Sequence, residues 1–289
     1  MVYGSVVWPN HSTPIWQFSW GLTADPEGVV IYGARFRGHL VLYKASIPSL
    51  RVQYDVQGGP YKDPLTEGNA EAHNPCYYSK VCTHSIVNYG VPGIRVQVFH
   101  RISNYRIIER WDFMENGRIY PRLYSSGLQW PHDHRHHVYW RFDFDIDGST
   151  QDLALEYNSN TPNIGYGPGW HKKSIEIARS RNSTYSRSWA IADTTSWRGY
   201  HLLPGPNDGN SDSFSKYDLL IMRYRDSEDK RGNQGDAWND ALPPYLNGES
   251  IDGQDVVIWY VGHLSHHVEE GGDEWHSVGP TLVPFRNWW

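Results

Sequence analysis

Short apolar runs, some alternating and some continuous, recur along the chain, parted by clusters of glycine, proline, asparagine and aspartate. They predict strands at Val29–Tyr32, Leu40–Tyr43, Ile94–Phe99, Tyr105–Phe113, Arg118–Tyr124, His136–Ile146, Tyr217–Arg225 and Asp255–Val261. β-Branched and aromatic side chains fill these runs, as suits a pleated, packed surface. Phe142-Asp143-Phe144-Asp145-Ile146-Asp147 alternates strictly, which predicts a half-buried strand with its aspartates toward water. No 3.6-residue period is sustained, and Lys172–Arg179 is the best helix candidate. Two stretches rich in glycine, proline and asparagine, Asn158–Trp170 and Leu203–Ser215, predict long loops, which in compact β domains often carry function. No internal repeat is visible. The expected fold is all-β, a large β-sandwich forming a single domain over residues 1–289.

Composition narrows the function. The chain holds 14 tryptophans and 20 tyrosines, which favours large buried aromatic contacts. With a formal net charge of -6 and no long basic run, nucleic acid is not an expected partner. The longest apolar run, Val256–Val261, is far too short to span a bilayer. Met1–Ser12 lacks the apolar core of a signal peptide, so the expectation is either a cytoplasmic protein or a secreted or periplasmic one whose leader is gone. The sequons Asn10-His11-Ser12 and Asn182-Ser183-Thr184 weigh slightly toward secretion. Cys76 and Cys82 are an even count that permits a disulfide.

The candidate chemistry lies in the histidines. His132-Asp133-His134-Arg135-His136-His137 is followed much later by His263, His266 and His267. Histidines two apart on a strand point to one side. Either His132/His134 or His134/His136, with a third imidazole from a distant strand, makes a trigonal nitrogen site suited to copper or zinc. The plainer alternative is a polar, solvated strand.

Several motifs together resemble the copper amine oxidases. His134-Arg135-His136, followed by Arg141-Phe142-Asp143-Phe144-Asp145-Ile146-Asp147-Gly148, is similar to that family's copper-ligand strand. Asp252-Gly253-Gln254-Asp255-Val256-Val257-Ile258-Trp259 resembles its D-G-Q-D-[IV]-V-V-W run, and the third copper histidine of that register falls on His266. Asn104-Tyr105 resembles N-Y-[DE], whose tyrosine becomes topaquinone, a quinone built from the protein's own side chain. Leu42-Tyr43-Lys44-Ala45-Ser46-Ile47, leading to Tyr54, resembles the segment whose downstream tyrosine bonds the quinone. Tyr61-Lys62-Asp63 is similar to Y-F-D, which supplies a substrate-gate tyrosine and the catalytic aspartate, with Asp55 as the fallback for the latter. The motifs run in family order from about Trp16 to Phe285.

The resemblance implies copper on His134, His136 and His266, topaquinone from Tyr105 beside Asn104, and Tyr54, Tyr61 and Asp63 serving it. It implies oxidation of a small primary amine by dioxygen to an aldehyde, with release of hydrogen peroxide and ammonia. It further implies a calcium site of Asp143, Asp145, Asp255 and the carbonyls of Phe144 and Val256, a Cys76–Cys82 disulfide, and a homodimer. Two positions depart from the pattern: Arg106 stands where the family has an acidic residue, and Arg101 where it has threonine. They leave two alternatives open: a copper oxidase of altered chemistry with Tyr105 unmodified, or a non-catalytic binding module.

Overall fold

The computed structural model describes residues 1–56, 58–72, 79–228, 246–286 and 289. In chain order the strands are β1 (Val2–Trp8), β2 (Trp16–Leu22), β3 (Val29–Phe36), β4 (His39–Tyr54), β5 (Gly58–Lys62), β6 (Ala70–Glu71), β7 (Val81–Asn88), β8 (Val91–Ile102), β9 (Tyr105–Met114) and β10 (Ile119–Ser126). They continue as β11 (His134–Asp143), β12 (Asp152–Tyr157), β13 (Trp170–Lys173), β14 (Ile177–Arg179), β15 (Ser188–Asp193), β16 (Gly199–Leu203), β17 (Leu219–Arg223), β18 (Val256–His266), β19 (His276–Val278) and β20 (Thr281–Phe285). Among the described residues there is no α-helix, only short 3₁₀ turns such as Glu67–Asn69 and Val268–Glu270, and no helix long and apolar enough to cross a membrane.

Two antiparallel sheets result. One runs β1-β2-β3-β4-β11-β18-β17-β14, with β5 on β4; the other runs β13-β12-β15-β16-β20-β10-β9-β8-β6, with β19 on β10 and β7 on β8. Their facing sides interdigitate: Phe18 of β2 stacks on Phe113 of β9 at 4.3 Å, and Trp16 meets the same ring at 5.1 Å. Trp16 is fully buried, and its indole N–H donates to the Met114 carbonyl at 2.7 Å, so the ring brings no unpaired polar atom into the core. This is the expected all-β sandwich.

Two expectations need correction. Lys172–Arg179 is not helical: it ends β13, crosses to the other sheet and begins β14. Its charged residues suit a helix surface, but Lys173 and Arg179 both reach Glu156 of β12, at 3.2 and 2.9 Å, and tertiary pairing overrides local propensity. The alternating run from Phe142 is not half-solvated either. β11 ends at Asp143, and Asp143 and Asp145 are buried along with the apolar residues Phe142, Phe144 and Ile146 that flank them. The predicted loops Asn158–Trp170 and Leu203–Ser215 are free of strand except at one end each, where Trp170 opens β13 and Leu203 closes β16.

Candidate metal and tyrosine site

β11 lies between β4 and β18, and register does the rest. His134 sits opposite Tyr54 on one side and His266 on the other, so three neighbouring strands carry these residues side by side. His136, two residues along, keeps to the same face. That face looks across the sandwich to the start of β9, where Tyr105 lies 5.1 Å from the His134 ring and 4.8 Å from that of His136. The His134 ring is 5.1 Å from both His136 and His266. All four side chains belong to buried residues.

Burial leaves nitrogens without partners. Among the described residues, both ring nitrogens of His134, Nδ1 of His136 and Nδ1 of His266 have no hydrogen-bond partner. Such orphans normally cost free energy. Burial, with the neighbouring imidazoles adding to it, pushes the His134 pKa down to about 4 and that of His136 well below its usual value. Neutral rings with exposed lone pairs are what a late first-row metal binds. The remaining contacts fix orientation: His266 Nε2 lies 2.8 Å from the Gly271 carbonyl oxygen, and His136 Nε2 lies 3.4 Å from Ser125 Oγ. The donor set therefore fits copper.

The Tyr105 hydroxyl makes a short hydrogen bond with that of Tyr54, and desolvation raises the pKa of both phenols. Asp63 is 6 % exposed, with Oδ2 unpartnered and 3.9 Å from His136 Nδ1. Burial pushes its carboxyl up to about 7. Asp55, the fallback, is instead exposed, at a cleft of about 350 Å³ lined also by Tyr54, Asp133, His134 and Asp212. Tyr61 is exposed and packs edge-on against Trp130, which in turn covers Tyr54 at 4.6 Å. Trp130 and Ser125 carried no sequence signal of their own. Asn104 does not reach the rings. Its amide donates to the Leu128 carbonyl, and its own carbonyl lies where any side chain at Gly127 would fall, 2.2 Å from that Cβ position. It anchors the start of β9, which Tyr105 opens.

Arg106 points away from Tyr105. Its guanidinium bonds Ser126 Oγ at 3.0 Å, the Gly272 carbonyl at 2.8 Å and Asp273 at 2.9 Å. Alternation along β9 thus puts the unusual charge on the far face. Arg101 pairs with Glu71 at the exterior. His263 is also outside the ring cluster: it faces the other side of β18, with Nδ1 2.9 Å from His137 Nδ1 and Nε2 2.8 Å from Asp218. His267 is exposed and paired with Asp133, and His132 is partly exposed.

At the other end of β11, carboxylate oxygens of Asp143, Asp145 and Asp255 lie within 4.8 Å of one another. Asp152, which the sequence did not flag, adds its charge. Burial first, and mutual repulsion for Asp152 and Asp255, pushes Asp145 up to about 6, Asp255 to about 7 and Asp152 to about 9. Arg141 approaches Asp143 at 3.3 Å, while Asp255 Oδ1 and Asp152 Oδ1 have no hydrogen-bond partner. A hard divalent cation fits this oxygen set. Phe144 and Val256 are buried beside it in the chain. Cys82 is buried on β7 with Sγ 3.5 Å from His84, whereas Cys76 lies outside the described residues, so their pairing stays an expectation.

An antiparallel sandwich with buried imidazoles and a tyrosine pair at one end defines the class as a β-sandwich with a candidate metal site. Comparison with known proteins narrows it. No family model matches the chain. The copper-containing diamine oxidase of Sus scrofa is 26% identical over 199 residues, 53% of this chain and 25% of its own. The liver isozyme of primary amine oxidase from Bos taurus is 22% identical over 364 residues, 90% of this chain and 47% of its own. The chain therefore spans half or less of these curated relatives. The amine oxidase structure from Aspergillus nidulans superposes with a TM-score of 0.75 at 15% identity, covering 94% of this chain and 50% of that one. The protein has a copper amine oxidase-like fold.

Proposed function

We propose that the protein is a copper-dependent oxidase of primary amines whose quinone cofactor is made from Tyr105. One observation carries this reading: a buried tyrosine sits against His134, neither of whose ring nitrogens has a hydrogen-bond partner among the described residues, and His136, whose Nδ1 has none. His134, His136 and His266 would hold the copper. When present, copper and the quinone supply the oxygen chemistry and the electron sink that protein side chains lack.

The chain's own residues do the rest. Tyr54 holds the Tyr105 oxygen through its hydroxyl and fixes the ring. Asp63 is buried, carries an unpartnered oxygen and lies beside His136, so it is placed to take a proton from the α-carbon of a bound amine. Tyr61 and Trp130 cover Tyr54 from the solvent side and limit water there. Because Arg106 is turned to Asp273, it brings no positive charge to the ring face. That favours the modified Tyr105 over the altered-chemistry alternative.

The test is aerobic copper loading followed by a quinone redox stain and phenylhydrazine titration. A coloured, stoichiometric adduct on the Tyr105 peptide supports the reading. A colourless, unreactive holoprotein with unchanged peptide mass overturns it.

We also assign the carboxylates at the far end of β11 to calcium. Calcium at about a hundredfold excess over its Kd stabilises by about 2.7 kcal/mol. A rise in Tm of several degrees is expected by calorimetry, and Asp255→Asn should remove most of it.

A further inference from the structure

We propose a second divalent-metal site, formed by His266, Glu270 and His276, which shares His266 with the buried histidine set and excludes a metal there. Donor atoms of these residues all lie within 4.8 Å of one another, and the two rings are 4.5 Å apart. His276 Nε2 and His266 Nδ1 are both buried and without a hydrogen-bond partner, although His266 is fully buried. Among the described residues neither nitrogen has a hydrogen-bond partner. Two imidazoles and a carboxylate, with one position open to water, form a set that zinc(II) and copper(II) accept.

The geometry is built rather than incidental. His266 closes β18, and His276 opens β19, pinned opposite Ser125 of β10. Between them the turn Val268–Glu270 is held from several sides. Glu270 Oε2 accepts the His267 N–H at 2.7 Å, and Asp133 accepts the Val268 N–H at 2.8 Å. Just beyond the turn, Arg106 holds Gly272 and Asp273. Glu270 Oε2 is also 3.4 Å from His276 Nε2, so the carboxylate already faces the imidazole. Arg106, unexplained by the tyrosine chemistry, thus has a place: it fixes the loop that carries Glu270.

Sharing has a consequence. His266 Nε2 is engaged by the Gly271 carbonyl oxygen, which leaves Nδ1 as the nitrogen open to a metal. His266 also lies 5.1 Å from His134, so the same nitrogen serves the inner set or the outer one. The outer set has an exposed ligand in Glu270, through which a metal reaches it from solvent.

The experiment uses the full chain and reads metal, not oxidation. The variant His134→Ala/His136→Ala dismantles the inner set. It is titrated with Co²⁺, whose visible spectrum reports its ligands, and Zn²⁺ is then added as competitor. Binding of about one equivalent is expected. Adding His276→Ala should abolish it, and Glu270→Gln should weaken it roughly tenfold or more. Absence of binding in the inner-set variant, or binding indifferent to His276→Ala, overturns the site. If the double variant does not fold, by circular dichroism, His136→Gln alone takes its place. In the wild type, copper already bound should block Co²⁺; binding of both together overturns the exclusion. None of these outcomes depends on a quinone at Tyr105.

Discussion

Tyr105→Phe is expected to reduce amine oxidation to background while copper still binds. The phenol oxygen is the only atom removed, and it is the atom the quinone reading requires. The ring would keep its place 5.1 Å from His134 and 4.8 Å from His136, because burial holds it there. The imidazoles lose no ligand atom, so copper stoichiometry should match the wild type. Stability should fall modestly. The Tyr54 hydroxyl loses its partner in a buried place, which costs about 1–3 kcal/mol. The loss of activity would therefore far exceed the loss of folded protein, and circular dichroism beside an oxygen-electrode assay separates the two. A Tyr105→Phe protein that still oxidises amines would point to metal chemistry with Tyr105 unmodified.

That His134 and His136 share a face was legible because strand geometry is simple, whereas Tyr105 came from the resemblance alone. A period of two puts His134 and His136 on one face whatever the fold. What spacing could not decide was whether His132/His134 or His134/His136 is the pair, and which third histidine joins it. His263 and His266 sit three apart on β18, hence on opposite faces, and only the register His134↔His266 selects between them. Register comes from pairing across long sequence separations, which a local pattern does not contain. The resemblance supplied it instead. The same limit explains the misread aspartates. Alternation from Phe142 marks two faces, but it does not say that both are covered, and here the acidic cluster packs inside. Lys172–Arg179 failed for a related reason: Glu156, the partner of its charges, comes from β12. Glu270 and His276 were passed over because they meet His266 only through a turn and a short strand of the other sheet.

Asp63→Asn tests the remaining assignment, which rested on the weakest sequence match. The structure separates the two candidates by environment. Asp63 is buried beside His136 with one oxygen unpartnered, whereas Asp55 is exposed at the cleft. A proton-abstracting carboxylate gains basicity from desolvation, and burial raises that of Asp63. Asparagine keeps the shape and removes the base. We expect kcat to fall by about 10²–10⁴, the usual contribution of a positioned general base. Copper content and the quinone stain should be unchanged, since the imidazoles and the Tyr105 phenol are intact. A substrate deuterated at the α-carbon should react still more slowly, because proton removal then limits turnover. Asp55→Asn should leave kcat within about twofold, given that Asp55 is exposed at the cleft rather than buried beside His136. If the two variants exchange these behaviours, Asp55 just past the end of β4 is the base, and the match of Tyr61-Lys62-Asp63 to the family motif is wrong.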